Sequence, residues 1–347
     1  MDTIRVGIVG LGANSRLQHV PKLNACENVE IVGVVNRRAE STAAAAQEFG
    51  IRKTYETWVD LVTDDEIDAV VISTWPYLHC PITLAALEAG KHVLTEARMA
   101  MNADEAHQML EASLQHPDLV AQIVPSPIGF HADRVVKRML ADGFIGDLRE
   151  VVVLGSNASL ADAGAAMHWR QSARFSGMNA LFMGIIHETL IRWVPDPTRV
   201  LAQAGIYTPQ RRDAETGEMV NVGTPDVVHV LTELPGGARG VYHLNAGIHF
   251  GPSLQIHLYG SEGTLKYELE PKDRLLAARK GDSALQEVEV SGDEAYDWRV
   301  EADFIEAIRG QREIDLTDFT TGVRYMEFTE AVARSSRLGE AVALPLA

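Results

Sequence analysis

A doubly wound parallel α/β sheet followed by an α+β domain with an open, mostly antiparallel sheet is the architecture this sequence predicts. Three observations predict it. The chain has 347 residues, more than the roughly 250 at which a single hydrophobic core stops growing. Short apolar runs alternate with helical stretches as far as residue 124, the pattern of βαβ units feeding a parallel sheet. Beyond Pro125-Ser126-Pro127 the strands are separated by turn residues instead of helices.

The first half reads as strands at Ile4–Gly10, Glu30–Asn36, Ala69–Thr74, His92–Thr95 and Val120–Val124. Helices are expected between them at Leu17–Ala25, Ser41–Phe49, Thr57–Val62, Pro81–Glu88 and Ala103–Leu114, with Asn102 as an N-cap and Glu105 as its capping-box partner. This gives a domain over residues 1–124 and a second over 125–347, whose last helix is free to pack back on the first. In the second, a helix at Ala132–Ala141 leads into hairpins closed by Leu234-Pro235-Gly236-Gly237 and Gly260-Ser261-Glu262-Gly263. Pro271-Lys272-Asp273 and Lys280-Gly281-Asp282 continue the meander, and Asp293–Arg309 and Asp318–Arg337 read as late helices.

Composition narrows the function. The chain is 46% apolar and 23% charged, values of an ordinary water-soluble protein, and no segment is apolar enough for a bilayer. The start shows no basic stretch with an apolar core, so a cytoplasmic location is expected. Two cysteines, Cys26 and Cys80, lack paired spacing, which excludes a Cys-rich zinc site and fits a reducing compartment. The net charge of −17 opposes a nucleic-acid partner.

The strongest local signal is Val6-Gly7-Ile8-Val9-Gly10-Leu11-Gly12-Ala13-Asn14-Ser15, a strand ending in a Gly-x-Gly turn that opens a helix. Gly10 makes the turn and Gly12 lets backbone approach a pyrophosphate. The helix start at Ala13, Asn14 and Ser15 aims free N–H groups at that anion. This is a Rossmann fingerprint, and it calls for a dinucleotide cofactor. At the end of the second strand, where a carboxylate would read the ribose 2′-hydroxyl of NAD, stands Asn36-Arg37-Arg38. An amide and two guanidinium groups suit a 2′-phosphate, so NADP is preferred, while Glu40 keeps NAD open.

With that fold in hand, Ser73-Thr74-Trp75-Pro76-Tyr77-Leu78-His79 and Ala89-Gly90-Lys91-His92-Val93-Leu94-Thr95-Glu96 resemble the glucose-fructose oxidoreductase / inositol dehydrogenase / rhizopine-catabolism (Gfo/Idh/MocA) family, which reads Thr-Pro-x-x-x-His and Gly-Lys-His-Val-x-x-Glu-Lys-Pro. Gly143-Phe144-Ile145-Gly146, Trp169-Arg170, Gly260–Leu265 and Val342-Ala343-Leu344-Pro345 extend the resemblance over almost the whole chain. It implies cofactor contacts from Thr74, Trp75, Pro76 and His79, a nicotinamide-ribose contact from Glu96, and association as a homodimer or homotetramer through the open sheet. Two elements depart from the family pattern. Glu-Lys-Pro is Glu96-Ala97-Arg98, without the lysine, and Asp-x-Gly-x-His is Met183-Gly184-Ile185-Ile186-His187, with the histidine alone surviving.

The residues then expected at the chemistry are His187 as acid/base, because an imidazole exchanges a proton near neutral pH, and Arg98, which stays charged and so stabilises an alkoxide or clamps a substrate carboxylate; a helix histidine satisfied by local hydrogen bonds is the alternative for His187 and a salt bridge that for Arg98. His168 is the reserve acid/base, and Trp169, Arg170 and Asn179 are substrate contacts, with capping the alternative for Asn179 and packing that for Trp169. Glu188 should pair with Arg192 along the helix. His243, Asn245, Gly247 and His249 share a strand face, but with no carboxylate or cysteine beside them no metal is expected. The function implied is an NAD(P)-dependent oxidoreductase acting on a sugar, cyclitol or related cyclic alcohol or ketone. A non-catalytic NAD(P)-bound sensor and a redox-assisted elimination with retained cofactor are the alternatives.

Overall fold

The computed structural model describes residues 3–346, so Met1 and Asp2 of the start read above, and Ala347, lie outside it. The chain divides into two compact units, residues 1–125 with 299–323, and residues 126–298 with 324–347.

The first unit holds six parallel strands: β1 Ile4–Val9, β2 Val29–Val35, β3 Lys53–Thr54, β4 Ala69–Ile72, β5 His92–Thr95 and β6 Ala121–Ile123, in the order β3-β2-β1-β4-β5-β6. Chain order reverses between β1 and β4, which places a crevice at their C-terminal ends. The apolar runs that predicted these strands are buried on both faces: Val6, Ile8, Val32, Val34, Val70 and Val71 are all enclosed. The crossovers use α1 Val20–Asn24, α2 Ala39–Phe49, α3 Trp58–Val62, α4 His79–Glu88 and α5 Ala103–Gln115. Asn102 caps α5 by accepting from the Glu105 N–H, as expected, but Glu105 returns its bond to the Met101 N–H, one residue earlier than a capping box requires. The first helix departs from expectation. Ser15–His19 forms a wide π-helical turn before α1, where Pro21 has no N–H to bond Leu17. The two-residue β3 was missed because its pattern is too short to read.

The boundary after Pro125 lies within one residue of the expected one, but the rest of the chain is not one contiguous domain. Residues 299–323 rejoin the first unit, where Gln122 Nε2 donates to the Leu316 carbonyl and Ile123 N to that of Thr317, extending the β6 edge.

The second unit begins with α6 Asp133–Ala141 and carries β7 Leu148–Ser156, the short helices α7 Ala173–Ser176 and α8 Met183–Leu190, β8 Arg199–Gly205, and a separate β9 Gln210–Arg212 and β10 Met219–Asn221 hairpin. Then come β11 Val227–Glu233, β12 Arg239–Asn245, β13 Gln255–Gly260, β14 Gly263–Glu268, β15 Arg274–Arg279, β16 Gln286–Glu287, α9 Val300–Ile308 (within the segment that rejoins the first unit), α10 Phe319–Leu338 and β17 Val342–Ala343. The nine-stranded sheet runs β16-β15-β14-β13-β7-β12-β11-β8-β17, antiparallel except for β7 beside β12. Alternation decides its faces. Val228, Val230, Tyr242 and Leu244 turn into a core shared with Met183, Ile186 and Phe328, while Leu201, Leu231 and His229 stay exposed on the other side. The helix expected over Asp293–Arg309 forms only from Val300; Tyr296 and Trp298 pack instead on the Phe130 ring, at centroid separations of 5.0 and 5.8 Å.

Candidate functional site

The crevice at the C-terminal ends of β1, β2 and β4 is a cleft of about 660 Å³. Gly10, Gly12, Asn36, Arg37, Arg38, Thr74 and Trp75 all line it, so seven of the predicted cofactor residues converge. Gly10 has φ +89°, and a Cβ there would lie 2.8 Å from the Ser73 carbonyl oxygen, so only glycine makes this turn beside β4. At Gly12 a Cβ would meet nothing within 4 Å. That open space above the glycine backbone, next to a helix start whose first N–H groups have no partner inside the helix, fits a pyrophosphate.

Asn36 does a different job from the one expected. Its Oδ1 accepts from Leu11 N at 2.7 Å and its Nδ2 donates to the Ser41 carbonyl, so the amide braces the glycine turn and keeps one of its two N–H donors for another partner. Arg37 and Arg38 are exposed, and the Arg37 guanidinium lies 5.5 Å from the Trp75 ring centroid. Sequence reasoning missed Thr57, Trp58 and Tyr77 in the same wall. The helix expected at Thr57–Val62 does begin there, on a Thr57 capping box with Asp60, but its place beside the cleft was not read.

Other expected contacts sit behind the cleft. Ser15 is buried, as the close helix–strand packing asked of the third glycine position requires. His79 is fully enclosed, with Nδ1 2.9 Å from the Arg98 carbonyl oxygen and Nε2 3.0 Å from that of Thr74, and burial pushes its imidazole down. It therefore staples two loops and does not touch the cleft. Pro76 is likewise buried. Glu96 accepts from Asn14 Nδ2 and from its neighbour Ala97 N, and meets His19, a residue the sequence did not single out. Arg98 is only 3% exposed.

In the second unit the structure separates the histidines. His187 is 1% exposed. Its Nδ1 is 2.7 Å from the Tyr242 hydroxyl, its ring stacks on Phe328 at 3.5 Å, and its Nε2 is buried without a hydrogen-bond partner. Burial, helped by the Arg324 charge, lowers its pKa to about 3. A base that weak, enclosed on all sides, is poorly suited to the acid/base role expected of it. The cause is helical geometry: His187 follows Met183 by one turn, so both face the core.

His168, by contrast, is exposed. Its Nδ1 accepts the Arg170 N–H at 3.2 Å while Gln171 Oε1 accepts the His168 N–H, a capping box that fixes the ring and leaves Nε2 to carry the exchangeable proton. Partial burial, with the Arg170 charge, lowers its pKa. The Arg170 guanidinium lies 4.2 Å from the Trp169 ring centroid. Asn179 is buried and donates to the Ser176 carbonyl, so it neither caps α8, which starts after Phe182, nor reaches solvent. Glu188 pairs with Arg192 as expected, and its second oxygen accepts from Ser126 N. His243 meets His229 at 3.0 Å, whereas Gly247 and His249 lie beyond the end of β12 and do not share its face. Among the described residues no group of three or more His, Cys, Asp or Glu side chains is placed to hold a metal.

Comparison with known proteins agrees with this geometry. Residues 4–137 match the Gfo/Idh/MocA description "Oxidoreductase family, NAD-binding Rossmann fold", and residues 134–266 match the C-terminal domain of the same family. An uncharacterized oxidoreductase, ORF334 of Rhizobium meliloti, is 30% identical over 151 residues, 44% of this chain and 45% of that protein, less than half of either. Inositol 2-dehydrogenase of Burkholderia multivorans is 25% identical over 321 residues, 89% of this chain and 87% of that one. A solved levoglucosan dehydrogenase in complex with NADH and L-sorbose superposes with a TM-score of 0.86 at 21% identity, covering 100% of both chains, a likeness of fold.

Proposed function

We propose, for a chain that belongs to the Gfo/Idh/MocA family of oxidoreductases, that it oxidises or reduces one ring carbon of a cyclic polyol, a sugar or cyclitol. The observation that carries the reading is the glycine turn with its unobstructed Gly12 backbone, opening on a cleft of about 660 Å³ at the strand-order switch. Two relatives are named for ring alcohols, inositol and levoglucosan, which supports the substrate class. A nicotinamide dinucleotide supplies hydride transfer at the carbinol carbon when bound. The protein's part is to hold it through the Gly10–Ser15 backbone, and to move the hydroxyl proton.

For that proton the reading favours His168 over His187, because an exposed imidazole with one nitrogen already engaged presents a single exchangeable N–H. Turnover with either nicotinamide cofactor, assayed over a panel of inositols, anhydrosugars and aldoses, tests it. His168→Gln should lower kcat by about 100-fold or more, with His187→Gln retaining wild-type turnover; the reverse ranking returns the role to His187. Cofactor that binds but is never reduced or oxidised across the panel favours the sensor reading, which the apolar Ala97 and Met183 also support.

NADP is the proposed preference. With the Asn36 amide engaged in the turn, it rests on Arg37 and Arg38, both exposed on the cleft wall. Replacing both by alanine should weaken NADP binding by roughly 10- to 100-fold, the worth of one or two charge-assisted bonds, with NAD affinity nearly unchanged. Equal losses for the two nucleotides, measured by titration calorimetry, would rule the preference out.

A further inference from the structure

Behind the glycine turn, within the first unit, lies a buried cluster that none of the expected contacts accounts for. The wide Ser15–His19 turn carries the His19 side chain inward, to 0% exposure. Its Nδ1 is 2.7 Å from Glu301 Oε1 and its Nε2 is 3.0 Å from Glu96 Oε1. Both neighbours are carboxylates, whose charge as well as their acceptor oxygens favour the ring protonated on both nitrogens, an imidazolium. Burial alone would push it down, but the bonds to Glu301 and Glu96 outweigh that and raise it to about 9. Glu96 is held below the usual carboxylate range: burial opposes its charge, and the bonds from His19 and Asn14 overcome that.

The cluster has a direction. Glu301, fully buried in α9, does not line the cleft, whereas Asn14, in the first turn after Gly12, is exposed. Between them Glu96 Oε1 takes bonds from His19 and Asn14, and its Oε2 takes one from Ala97 N at 3.1 Å. Every oxygen of the carboxylate is therefore oriented by a donor, and the orientation is transmitted from a helix 282 residues away in sequence. Without the imidazolium, the buried Glu301 and the partly buried Glu96 carboxylates would face each other across the space it fills, and Glu96 would turn away from Asn14.

We propose that His19, anchored by Glu301, is a positioning residue for the dinucleotide site, holding Glu96 and through it Asn14 at the rim of the glycine turn. This rests on the reading that the turn binds a nicotinamide dinucleotide. Glu301 thereby couples the returning segment 299–323 to cofactor affinity although it lines no part of the cleft.

The test is titration calorimetry of the full-length protein with NADH and NADPH, alongside thermal denaturation. Glu301→Gln, nearly isosteric, should weaken nucleotide binding about tenfold, the scale of one charge-assisted bond. In a Glu96→Gln background the same substitution should add no further loss, because its effect passes through Glu96. His19→Gln should match or exceed the Glu301→Gln loss; if it does not fold, the Glu301 and Glu96 variants decide alone. A Glu301→Gln protein that melts earlier but binds as wild type, or losses that add fully in the double variant, overturns the proposal. Wild-type protein that binds neither nucleotide overturns the cofactor reading on which it rests, so the two failures are distinguishable.

Discussion

Gly12→Val should abolish dinucleotide binding while leaving the protein folded, and Gly10→Ala should do the opposite, damaging the fold first. The two glycines are one residue apart and have different reasons to be glycine. At Gly12 the added side chain meets no protein atom within 4 Å and projects into the space a pyrophosphate needs for close approach to the backbone. Affinity should fall by more than about 100-fold, since several backbone-to-phosphate bonds are lost together. The melting temperature should stay near that of wild type. At Gly10 the φ of +89° and a Cβ 2.8 Å from the Ser73 carbonyl strain β1 against the end of β4. That costs on the order of 1–3 kcal/mol of stability. Calorimetry with NADH and NADPH and a thermal melt of each variant check both halves. A Gly12→Val protein that binds as tightly as wild type would remove the glycine turn from the cofactor site, and the functional reading with it.

Much of this site was legible because its grammar is local. A strand, a Gly-x-Gly turn and a helix start occupy the twelve consecutive residues Ile4–Ser15, and Arg37 and Arg38 stand where β2 ends, so the topology brings them together without further information. The open, mostly antiparallel sheet was legible for the same reason, since each hairpin carries its own turn residues. What escaped depends on distance along the chain. The His19–Glu301 bond joins residues 282 apart, and no periodicity points from one to the other. The return of residues 299–323 to the first unit is equally invisible until tertiary structure forms. Asn36 was assigned to a phosphate on residue type, yet backbone groups at Leu11 and Ser41 use both ends of its amide. His187 was readable as a candidate, but its burial was underweighted. Met183, Ile186 and Leu190 surround it on α8, an apolar setting in which a histidine belongs to the core, but its position in a recognised motif outweighed that signal.

That burial makes His187 a source of acid sensitivity. Its imidazole is lowered to about 3 in the folded protein, against 6.5 in an unfolded chain. Protonation would place a charge in the core beside Phe328 and add a second N–H where, among the described residues, Tyr242 is the only hydrogen-bonding neighbour. The folded state therefore refuses a proton that the unfolded state accepts. The stabilising contribution is complete above pH 6.5 and is lost as pH falls below it, at up to about 1.4 kcal/mol per pH unit until the folded value is approached. His19 works in the opposite direction: raised to about 9, it contributes fully below pH 6.5, and that contribution is lost as pH rises through 9. Many carboxylates titrate in the acidic window as well, so the informative quantity is a difference between proteins. Urea denaturation of wild type and His187→Gln at pH 7, 6 and 5 should show the wild type losing stability more steeply, by about 2 kcal/mol over that span. The glutamine variant has no proton to take up at this position. Parallel curves for the two proteins would mean that the His187 ring is hydrated or protonated in the folded state, and its candidacy for proton transfer would then reopen.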